Sequence, residues 1–84
     1  MTFAEHINEY IKELGWSVIE LHKRTDIDIA VVQDILKGDT PMYSDAMLIV
    51  MAITKQYPSD KTWSIYQTIM IQPLFNNKQT KAKQ

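Results

Sequence analysis

The chain contains no cysteine. That excludes disulfides and thiolate metal sites, and it fits a reducing compartment such as the cytoplasm. Glycines number only two, and no strand-like alternation is bounded by turn residues. No apolar run approaches the roughly 18 residues that a membrane helix requires, so no membrane contact is expected. The start, MTFAEHINEY, is acidic and amphipathic and does not read as a signal peptide. There is no glycine-rich phosphate loop, no nucleophile elbow and no Cys–His pair, so no enzyme is expected. His6 and His22 lack a second ligand at helical spacing, so no metal or cofactor is expected either. Glu5, Glu9 and Glu13 read as a solvated helix stripe.

What is present is helical punctuation around a core. Hydrophobic residues make up 45% of the 84, enough for one small domain without staples. Thr2 and Glu5 form a capping box at the start of a first helix over about 3–14, with Phe3, Ile7, Ile11 and Leu14 at helical spacing and Gly15 as its stop. Ser17 and Glu20 repeat the capping-box pattern before a short second helix over 18–24, which ends in Lys23-Arg24. Asp28 caps a third helix over 29–37, and Gly38 ends it. Ser44 is expected to cap a fourth helix running towards Tyr57, and Pro58 closes that region. Ser59 or Asp60 opens a fifth, with Trp63, Tyr66, Ile69 and Met70 on an apolar stripe and Pro73 beyond it. Met42, Met47, Met51 and Met70 read as core filler.

Two short helices separated by Thr25-Asp26-Ile27, with one helix before and two after, resemble the lambda-repressor/Cro family of helix-turn-helix proteins. The matching residues are Ser17, Glu20, Leu21, Arg24, Thr25, Ile27, Val32, Ile35, Gly38 and Pro41. The resemblance implies an all-α, five-helix lambda-repressor-like domain over 1–74, followed by a polar, basic tail over 75–84. It also implies a transcription regulator that binds operator double-stranded DNA. Lys23, Arg24, Gln33, Lys37, Thr40 and Tyr43 are then the candidate DNA contacts. The chain departs from the family pattern at several positions, among them Val18, where a phosphate-anchoring Gln is often found, and Asp39, where a basic residue is usual. His22 stands where a small alanine is usual, and Asp26 stands where glycine is usual. Ile29, Ala30 and Asp34 occupy positions that usually carry base-reading polar groups.

The charge pattern sharpens the difficulty. Residues 1–57 carry 5 basic against 9 acidic side chains, and residues 58–84 carry 4 against 1. Phosphate contact favours the opposite distribution. A second reading therefore stays open. Val18, Ile19, Ile29 and Ala30, joined by Val31 where that side chain turns outward, form an apolar patch beside Asp34, suited to a basic regulator protein that the chain would sequester as an antirepressor or modulator. A homodimer through Trp63, Tyr66, Ile69, Met70 and Leu74 is a further expectation.

Overall fold

The computed structural model describes residues 2–71, and among these there are helices and no strands. α1 spans Phe3–Leu14, α2 Val18–Thr25, α3 Ile29–Lys37 and α4 Tyr43–Thr54. A 3₁₀ turn at Ser59–Lys61 leads into α5 (Thr62–Tyr66), which continues as a π-helical segment over Gln67–Ile71. The expected tail and Leu74 lie outside the described residues.

Local capping explains most of these boundaries. The Thr2 amide donates to Glu5 Oε1 (2.8 Å) and the Glu5 amide donates back to Thr2 Oγ1 (3.2 Å), closing the capping box. Gly15 adopts φ 75° and lets Trp16 N–H reach the Ile11 carbonyl at 2.8 Å. At α2 the box is only half built. Ser17 Oγ accepts from the Glu20 amide at 3.1 Å. The Glu20 carboxylate turns instead to Arg24, 2.8 Å away one turn later. α4 also begins earlier than Ser44 predicts. The Ala46 amide donates to the Met42 carbonyl (2.9 Å), so Met42 takes the capping position with no side-chain bond. α4 ends at Thr54 because Pro58 disfavours helical backbone just before it.

The core collects Ile7, Leu21, Val32, Ile49, Ile53 and Ile69, all fully buried, with α4 contributing most heavily. Of the four methionines expected inside, only Met70 is buried. Met47 packs at the core edge, while Met42 and Met51 face solvent. For Met47 and Met51 the reason is that α4 is apolar on both sides from Ala46 to Ile53, and only one side can meet the core, while Met42 stands before the helix at its cap.

Two long-range bonds fix α1 against the rest. Asn8 Nδ2 donates to the Ala4 carbonyl (2.9 Å) and to the Leu36 carbonyl (3.0 Å), which satisfies the end of α3. Tyr57 packs edge-on against Tyr10, with ring centroids 5.8 Å apart, and its hydroxyl donates to Glu13 Oε1 at 2.9 Å. Burial, and then the bond to Glu13 and its charge, push the Tyr57 phenol up to about 12. A raised folded value stabilises the native state fully below the unfolded tyrosine value of about 10, and that stabilisation is lost as pH rises through about 12. Difference absorbance titration against Tyr57→Phe is expected to show this late ionisation, and Glu13→Gln to move it towards the ordinary range. An unchanged midpoint in Glu13→Gln would remove Glu13 as a cause.

Candidate functional site

α2 and α3 are eight and nine residues long, too short to hold a direction alone. The turn between them sets their relation. Asp26 adopts φ 61°, ψ 18°, the left-handed conformation, and its amide donates to the His22 carbonyl at 2.8 Å. Aspartate tolerates that region better than most residues. Thr25 is buried; its hydroxyl donates to the Leu21 carbonyl (2.8 Å) and accepts from the Ile27 amide (3.3 Å). His22 Nδ1–H donates to the Ile27 carbonyl. Ile27 is thereby driven into the core, and Asp28 accepts from the Ala30 amide at 2.8 Å to start α3.

The outer face of α3 follows from this register. Val32 and Ile35 are buried. Opposite them, at about 100° per residue, stand Ala30, Gln33, Asp34 and Lys37, all exposed. Ile29 and Val31 are each 37% exposed and lie about 160° apart around the axis. Of the expected apolar patch, Val31 is thus set apart from Ile29 on α3. The crest of α3 is polar with one small residue, and the aliphatic side chains form two separate flanks. Val18 packs at the core edge, whereas Ile19 is 54% exposed.

Gln33 and Lys37 come together with the start of α2. They share with Asn8, Trp16, Ser17 and Val18 an open groove of about 500 Å³. Ser17 Oγ takes the Glu20 amide, which leaves the Val18 and Ile19 amides at the start of α2 without intrahelical acceptors. The other candidate contacts are dispersed. Lys23 and Thr40 are exposed outside that groove. Arg24 is bonded to Glu20, and its guanidinium lies 4.4 Å from the centroid of the Trp16 ring. Tyr43 turns its hydroxyl to that of Tyr66, 3.2 Å away. Asp26, Asp28, Asp34 and Asp39 are all exposed around the motif. Nothing local in the sequence marks Asn8 as a strut or Trp16 as the ring beside Arg24, although Glu20 one turn before Arg24 is a local signal for the ion pair. The partner of Asn8 is a carbonyl 28 residues away, and the ring is brought in by the α1–α2 turn.

The proposed dimer residues divide. Ile69 and Met70 are in the core and are unavailable to a second subunit, because the π-helical segment packs on α1 and α4. Trp63 is 63% exposed and stacks on half-buried Tyr66 (centroids 5.7 Å apart). Compared with family models, curated proteins and solved structures, the chain matches none.

Ile69→Ala is expected to cost about 2–5 kcal/mol of unfolding free energy. Trp63→Ala, which removes one exposed stack, is expected to cost under about 1.5 kcal/mol. Urea denaturation of the two variants checks the division; equal costs would contradict it.

Proposed function

We propose that the protein is a small transcription regulator whose α2–turn–α3 unit docks α3 into the major groove of operator double-stranded DNA. The observation that carries this reading is the groove in which Gln33 and Lys37 flank the start of α2. Helix-start amides and a nearby lysine suit a phosphate. A glutamine one turn away suits the N6/N7 edge of adenine. Ala30 on the crest lets the helix approach a thymine methyl, and Asp34 can accept from the exocyclic amine of cytosine. The cations near the motif are Lys23, Lys37 and the partly engaged Arg24. With at most three phosphates neutralised, the slope of log affinity against log salt is about −3 or shallower.

A second reading rests on the four exposed aspartates and the two aliphatic flanks. Ile19, Ile29 and Val31 with an acidic surround suit a basic regulator protein that the chain would sequester, as a modulator does. Asp34→Lys separates the readings, since it strengthens a DNA contact and weakens a basic protein contact.

Fluorescence anisotropy with a duplex from upstream of the gene provides the test. Gln33→Ala is expected to cost about 1–3 kcal/mol of binding. Lys37→Ala is expected to reduce the salt slope by about 1. Full retention of affinity in both variants would contradict operator binding through this face.

A further inference from the structure

Trp16, Glu20 and Arg24 recur at a spacing of four along α2 and the turn that leads into it. Helical side chains lean towards the N-terminus of their helix. Arg24 therefore runs back past Glu20 and lays its guanidinium 4.4 Å from the centroid of the Trp16 ring. Trp16 in turn lines the groove shared by Ser17, Val18, Gln33 and Lys37. A cation thus sits beside that groove, but its charge is already answered. Its Nε donates to Glu20 Oε2 at 2.8 Å, and the carboxylate offsets its field at a distance. The bond engages one edge of the guanidinium alone. Arginine carries five N–H donors, and the terminal nitrogens of Arg24 make no hydrogen bond to the described residues. The two side chains are 40% and 41% exposed, and ion pairs so open to water hold weakly. The indole face, by contrast, attracts the guanidinium whichever acceptor its edge has. Glu20 lies in the first turn of α2, where the helix dipole favours a carboxylate.

We propose, on the basis of operator binding through this face, that Glu20 is an electrostatic latch on Arg24. Glu20 and a backbone phosphate compete for the same guanidinium. In the free chain Glu20 holds it. In the complex a phosphate beside the groove takes it, while Arg24 stays on Trp16. A guanidinium can present two parallel N–H groups to a phosphate, whereas Glu20 receives one. Glu20 is then a residue that lowers affinity for DNA without touching it. What the chain gives up is sequence-independent affinity, so the latch raises the share of binding carried by base contacts.

Anisotropy titrations of the full chain across salt, with the upstream duplex and with a duplex of unrelated sequence, test this as a double-mutant cycle. Glu20→Gln keeps the shape of the side chain. It is expected to bind both duplexes about two- to fivefold more tightly at low salt, with a salt slope steeper by up to about 1. Arg24→Gln is expected to weaken binding, and in its presence the gain from Glu20→Gln is expected to fall below about 1.5-fold. In the wild-type chain the Arg24 Nε–H resonance is expected to shift on saturation with either duplex, which reads the exchange of acceptors without any substitution. An equal gain with and without Arg24 would overturn the latch and leave operator binding standing. So would a Glu20→Gln chain that binds no more tightly than wild type, or an Nε–H resonance that does not move. Absence of binding to either duplex at low salt would overturn operator binding itself, and the latch with it.

Discussion

Between Leu21 and Asp28 the chain must reverse direction while burying Thr25 and Ile27. The hydroxyl of Thr25, the imidazole of His22 and the left-handed backbone of Asp26 together satisfy the polar groups that this reversal takes out of water. A buried amide or carbonyl left without a partner costs about 1–3 kcal/mol, a large share of what a domain this small retains. Two helices of eight and nine residues owe their mutual direction to this turn and to Leu21, Ile27 and Val32 beneath it. Which side chains crown α3 is a consequence of that register.

The crest so produced is a compromise between two chemistries. Gln33 and Lys37 beside the start of α2 offer donors to a phosphate-bearing groove. The surrounding aspartates oppose such a partner, and the one ion pair among the described residues occupies Arg24. An anchor with so few free cations favours weak contacts to a phosphate-bearing partner.

Signals confined to three or four residues were legible in the sequence. Thr2 with Glu5, Gly15, Asp28 and Gly38 mark helix ends because their partners lie within one turn. The tolerance of aspartate for left-handed backbone likewise made Asp26 readable as the turn. Competition within that same range blurred other ends. Glu20 could bond back to Ser17 or forward to Arg24, and the forward ion pair, under the Trp16 ring, prevails. Long-range placement was not legible. Asn8 to Leu36 and Glu13 to Tyr57 span 28 and 44 residues. The apolar run of α4 does not reveal which side faces the core, so methionines read as filler emerge on the surface. Whether Val31 joins Ile29 was not legible either, because a run of small aliphatics does not announce that two steps of 100° set them on different flanks.

The central claim is the proposed one, that the face formed by the start of α2 and the crest of α3 is the one that meets duplex DNA. Amide chemical-shift mapping of the labelled full chain, titrated with duplex DNA from upstream of its gene, tests it most directly. Perturbations concentrated at residues 17–19 and 29–37, weakening as salt is added, are the expected result. A saturable complex whose perturbations leave those segments untouched, or no perturbation at low salt, would contradict it.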